Sequence, residues 1–274
     1  MRFSSVVWLV GVAGASLAAS AAWGQVEALA SYRAVYELSI DDNAEVAATA
    51  TVGGRMAVEF VGAACRGYSS KMRIVTEGED ADGNAQVTDA RTDTVENGDG
   101  RFLFTNQVFV NEVLTEQPSG VATRQPGGVT VALTKPGRKS VTLDGDVMFP
   151  IEQLKRILAA AAAGEHFITV DLFDGSQSGE VVYATAAVIG KESSAPDDFG
   201  EETLIGTAGF AGLSHWPVTV SYFERGSGTD DAPAYTTSFV LYANGIGSKM
   251  RIDYGKFALN GRLTHLEILP TPGC

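Results

Sequence analysis

Cysteine is scarce in this chain: only Cys65 and Cys274 occur. They form no CxxC pair and no thiol–histidine cluster, which removes zinc-finger and dithiol redox chemistry. Histidine is nearly as scarce. His166, His215 and His265 stand far apart in sequence, with no HxH or HExxH spacing. Basic charge is in deficit, with 20 Lys+Arg against 33 Asp+Glu, a net charge of −13 and a pI near 4.6. Such a surface repels polyanions, so nucleic acid is excluded as a partner and tight docking to anionic lipid is disfavoured. Proline is also sparse, nine residues against 31 glycines, which suits many strands joined by tight turns. Past the first two dozen residues no apolar run has the length of a membrane span, and Ile157 to Ala163 is too short.

What is present begins with an address. Arg2 is the only charge before Glu27, Val6 to Leu17 is apolar, and Ala18 to Ala22 are small. This predicts a secretory signal peptide over residues 1–24, cleaved after Gly24, with Ala22 as the alternative site. An uncleaved anchor is the competing reading, and the shortness of the apolar run argues against it. No cysteine lies near the cleavage point, so a lipoprotein anchor is not expected. The exported product, 25–274, is read as one domain that does not span the membrane. In an oxidising compartment two cysteines read as a single Cys65–Cys274 disulfide, with two free thiols as the alternative.

The mature chain is dominated by short alternating segments. Tyr32–Leu38, Arg55–Val61, Tyr68–Glu77, Val87–Glu96, Arg101–Val110 and Val129–Thr134 each repeat with period two. Phe167–Phe173, Val181–Ile189, Trp216–Phe223, Tyr235–Tyr242, Ile246–Tyr254 and Arg262–Leu269 continue the pattern. Turn pairs such as Asn97-Gly98, Asp99-Gly100, Asp144-Gly145, Asp174-Gly175, Asn244-Gly245 and Asn260-Gly261 punctuate them. The expected fold class is all-β and mainly antiparallel, with about a dozen or more strands. One principal helix is predicted over Pro150–Ala163, where proline opens it, Gly164 stops it, and Ile151, Leu154, Ile157, Leu158 and Ala161 share a face. Its apolar face suits either the concave side of a curved sheet or the mouth of an incomplete barrel.

Candidate chemistry is thin. Gly175-Ser176-Gln177-Ser178-Gly179 has the outer glycines of a nucleophile elbow but Gln177 at its centre, so it reads as a turn. Glu79 to Gly83 has the outline of a calcium loop, but Arg91 stands where the twelfth-position glutamate belongs. Asp230-Asp231 has no acid–base role without a cleft. No catalytic, metal-ligating or cofactor-binding residue is assigned, and no cofactor is expected. The aromatic segments Trp216–Phe223 and Asp253–Phe257 read as core, or as the lining of a concavity holding lipid or peptide.

Several stretches together resemble the cell-envelope integrity protein B family. They are Met148-Phe149-Pro150 opening the helix, Phe173-Asp174-Gly175-Ser176, Ile189-Gly190, Trp216-Pro217, Asn244-Gly245-Ile246 and Asp253-Tyr254-Gly255-Lys256-Phe257. The layout of an early Cys65 and a terminal Cys274 is the most specific element. The resemblance covers the whole mature chain. It implies a periplasmic, single-domain β-spiral, a strongly curved open sheet or incomplete barrel around a helix, with Cys65 and Cys274 paired and no assigned catalysis. Glu152-Gln153 stand where the family leads one to expect a histidine. The functional expectation is a non-enzymatic, monomeric protein supporting the envelope by binding an envelope protein or lipid. A carrier of lipid or lipoprotein acyl chains is the alternative, and an envelope hydrolase a more distant one.

Overall fold

The computed structural model describes residues 28–41, 52–79, 83–194, 210, 212–226 and 232–274. The signal-peptide segment, Asp80 to Asp82, Asp230-Asp231 and most of the Glu192–Glu202 loop lie outside them. The strands are β1 (Ser31–Ile40), β2 (Gly53–Ala63), β3 (Gly67–Glu79), β4 (Ala85–Asn97), β5 (Arg101–Val110), β6 (Val113–Glu116), β7 (Ser119–Gln125) and β8 (Gly128–Lys135). After β9 (Lys139–Asp144) and β10 (Val147–Met148) comes the helix α1 (Pro150–Ala162). The chain ends with β11 (Phe167–Leu172), β12 (Tyr183–Ile189), β13 (His215–Glu224), β14 (Tyr235–Tyr242), β15 (Gly247–Asp253) and β16 (Ala258–Leu269).

All of these strands form one sheet, ordered β10 through β16, then β1 through β5, then β7 to β9, with β6 beside β5. The first and last strands in the chain meet in mid-sheet, where β1 pairs antiparallel with β16 from Ser31↔Leu269 to Ile40↔Leu259. The two ends of the sheet, β9 and β10, follow one another in sequence and are not paired, which leaves a seam in a barrel-like sheet. The expected curved, incompletely closed all-β architecture is therefore what the chain adopts. Pairing is antiparallel except for Val147↔Asp171 and Met148↔Leu172, where β10 runs parallel to β11. That is where a crossover is needed, and α1 supplies it.

Four strands escape the sequence reading: β6, β7, β9 and β10. Each is short or poorly alternating, and pairing with better-formed neighbours holds it. The turn expected at Asn260-Gly261 is a correction. Both residues lie inside β16, with Gly261 paired to Met250 and Leu38. A Cβ at Gly261 would stand 3.3 Å from the Met250 side chain and 3.4 Å from that of Leu38, so glycine there admits close packing, not a turn.

Alternation sets an inner and an outer face. Tyr36, Leu38, Met56, Phe60, Phe102 and Phe104 are buried inside, while Arg33, Arg55, Lys71 and Arg73 stand outside. Three apolar clusters of described residues occupy the interior. Ile151, Ile157, Leu158, Ala160 and Ala161 of α1 pack against Trp216, Val218 and Val220 on one wall and Phe60 and Tyr68 on the other. Phe102, Phe104, Phe149 and Phe173 form a second cluster behind the seam. A third gathers Tyr36, Leu38, Met56, Ile246 and Leu263.

Candidate functional site

The helix start shows how the interior is fastened. Its N-cap is Phe149, a side chain with no acceptor for the first N–H groups. Glu96, at the inward end of β4, accepts the N–H of Ile151 at 2.8 Å and of Glu152 at 3.0 Å. Glu152 turns back to accept the N–H of Phe149 at 3.0 Å and is held by Arg124 of β7, whose Nη1 also donates to Val147 O. The Arg124 guanidinium lies over the Phe149 ring at 5.2 Å, and Lys155 lies over Tyr68 at 4.8 Å. Burial raises the Glu96 carboxyl to about 7, and the neighbouring Glu152 adds to the rise, while the two backbone donors and Lys155 oppose it. Gln153 donates to Thr185 Oγ1, which donates on to Val170 O, so the helix is tied to β11 and β12 as well.

The seam is bridged by side chains instead of a ladder. Lys139 of β9 donates to Glu180 at 2.6 Å, and Arg225 donates to Asp144 O at 2.7 Å. The segment 173–179 enters the barrel, where Asn106 of β5 donates to Gly175 O at 2.6 Å. Gly175 has φ +72° and a Cβ there would fall 2.5 Å from the Phe104 ring, so only glycine fits. Asp174 accepts the Ser176 N–H, and burial raises its carboxyl. Beside it Tyr222 and Tyr235 stack with ring centroids 4.3 Å apart, and Tyr183 meets both edge-on. Burial pushes the Tyr222 phenol up to about 12.

The sequence-derived candidates are dispersed. His166 Nδ1 lies 3.0 Å from Ile189 O, His215 Nδ1 lies 3.1 Å from Leu213 O with its ring against Tyr242, and His265 sits on the outer face opposite Val35. Among the described residues no group of three His, Cys, Asp or Glu side chains could hold a metal. Ser176 and Gln177 lie in the turn that contacts Tyr183. Glu152 and Gln153 both serve the helix. The structure joins Cys65, in the turn between β2 and β3, to Cys274, with Cα atoms 6.1 Å apart. Glu96, Arg124 and Arg225 were missed by the sequence reading. A charge in the inward phase of β4 was the available signal for Glu96; the other two carry none.

The open surface is on the outside. A groove of about 750 Å³ follows β2 and β3 past Gly53, Arg55 and Glu77, and another of about 530 Å³ follows β11 past Met148, Thr169 and Phe223. From β16 to β4 the outer face carries ion pairs: Arg33 with Glu59 and Glu267, Arg262 with Glu37, and Arg73 and Arg91 both on Asp89. Hydrogen bonds from those two arginines hold the Asp89 carboxyl down at about 2.

Among the described residues no helix is long and apolar enough to cross a membrane. A family profile described as EipB-like matches residues 24–270. Across 269 residues the chain is 36% identical to the cell envelope integrity protein EipB of Brucella abortus (strain 2308), covering 98% of this chain and 92% of that protein. The crystal structure of a β-barrel-like protein of domain of unknown function DUF1849 from Brucella abortus, also 36% identical, superposes with a TM-score of 0.78 over 88% of this chain and 99% of that one.

Proposed function

This chain belongs to the EipB-like family, and on that premise we propose that it is a non-catalytic periplasmic protein that supports envelope integrity by binding an envelope partner on its outer surface. The observation that carries this reading is the apolar packing of the described residues inside the sheet. The helix and three apolar clusters of described residues occupy space that an acyl-chain carrier would keep for cargo. Several buried or inward polar groups hold the barrel together: Glu96 at the helix start, Gln153 on Thr185, Asn106 on the 173–179 segment. Export by the 1–24 signal and the Cys65–Cys274 bridge fit one oxidising compartment.

The test is a deletion strain scored for envelope leakage. The intact chain is expected to restore the barrier, and so is a chain with His166, His215 and His265 replaced together by alanine. Loss of rescue in the triple variant, with its fold intact, favours the hydrolase reading. Native mass spectrometry of protein from its own periplasm separates the carrier: co-purified lipid at one molecule per chain would overturn the surface-binding reading.

A further inference from the structure

Strand β11 has one covered edge and one mostly bare edge. β12 pairs along the first from Phe167↔Val188 to Leu172↔Tyr183, whereas β10 covers only Asp171 and Leu172 on the second. Phe173 donates its N–H to Met148 O, and Ile189 donates to His166 O. With a period of two along the strand, the N–H and C=O groups of Phe167 and Thr169 point to the β10 side, where no strand of the described residues continues. Gly145, at φ +96°, carries the chain off that line toward β9.

Bare edges are ordinarily blunted by charge, proline or shortness. β6 is four residues long and flanked by Glu112 and ended by Glu116. β9 begins with Lys139, engaged by Glu180. Phe167, Ile168 and Thr169 themselves carry no such device; the nearest charges are Arg156 of α1 in the groove and its partner Glu165. Instead, Phe167 and Val188 form an exposed cross-strand pair, 59% and 54% accessible, and the outer residues beyond them are uncharged: Thr219 with Ser238, Ser221 with Thr236. The groove of about 530 Å³ begins at this edge, at Met148, Arg156 and Thr169, and reaches across the outer face to Phe223, with the 90% exposed Asp146 carboxylate lying 3.9 Å from the Arg124 guanidinium.

We propose that the β11 edge docks an extended segment of a partner protein, which adds as a strand beside Phe167–Val170 in line with β10. Unpaired main-chain donors and acceptors are satisfied by another backbone and not by a hydrocarbon, so the chemistry selects a polypeptide over a lipid. An apolar side chain of the segment would cover Phe167 and Val188. This deepens the surface-binding reading above and rests on it.

The test places p-benzoylphenylalanine at position 167 of the full chain in living cells, irradiates, and maps the adduct by mass spectrometry. One contiguous segment of another protein is expected. A synthetic peptide of that segment should bind the purified protein, and the same peptide N-methylated at alternate residues should bind about tenfold or more weakly. Thr169→Pro should weaken the unmethylated peptide similarly; Val188→Lys should weaken it with an unchanged melting temperature, which covers the case in which the proline variant misfolds. Adducts only to lipid or to a second copy, no adduct, or equal binding of the N-methylated peptide would overturn the proposal. If Thr169→Pro abolishes peptide binding yet restores the barrier, the edge is not the integrity surface and the broader role stands. If the unaltered chain fails to restore the barrier, the broader role falls.

Discussion

Glu96 shows how one side chain can set a pH dependence. Its carboxyl is raised to about 7 inside the barrel, while the unfolded chain returns it to 4.5. A raised folded value means that its contribution to stability is complete below the unfolded value and is lost as pH rises through about 7. Melting temperature should therefore fall between pH 5 and pH 8, and in Glu96→Gln this part of the fall should vanish, a difference of the order of 5 °C by calorimetry. Asp89 behaves oppositely. Held at about 2, it contributes above the unfolded value and loses that contribution only as the solution approaches pH 2. Gly175 is a purely steric case. Gly175→Ala forces a side chain at φ +72° into the Phe104 ring, and denaturant unfolding should show a loss of about 2 kcal/mol or more.

Among the elements, α1 and the seam carry different kinds of energy. The seam joins two sheet ends with a surface ion pair outside and a cluster of phenylalanines inside. Lys139→Ala should cost under about 1 kcal/mol, because an exposed pair gains little in water. Phe149→Ala should cost about 3–5 kcal/mol, because it empties a fully buried site that touches Phe102 and underlies Arg124. Equal costs in denaturant titrations would contradict an apolar seal. The helix was legible in the sequence to within a residue, from Pro150, Gly164 and its apolar stripe. Its cap was not, because Glu96 lies far upstream and reaches the helix only when β4 has taken its place in the wall.

At the scale of the whole molecule, the Cys65–Cys274 bridge closes a loop spanning 209 residues of separation and pins the tail beyond β16 to the β2–β3 turn. Chain-entropy reasoning puts its stabilisation at about 5 kcal/mol as an upper figure. Replacing both cysteines by serine should lower the melting temperature without abolishing the fold, since the three apolar clusters remain. Circular dichroism with and without reductant checks this; identical melting curves would mean that the bridge contributes nothing.

Local rules carried far in this chain. Alternation marked twelve of the described strands, paired turn residues marked some of the corners, among them Asn97-Gly98, Asp144-Gly145 and Asn244-Gly245, and proline, glycine and an apolar stripe marked the helix. Charge set the expectation that nucleic acid is not a partner, and the two cysteines the expectation of an oxidising compartment. Tertiary structure alone decided that β1 and β16 meet in mid-sheet, that the break falls between β9 and β10, and that β11 keeps a bare edge. Those outcomes depend on which distant strands pair, a choice made by summed packing across the whole sheet and invisible to any window of neighbouring residues.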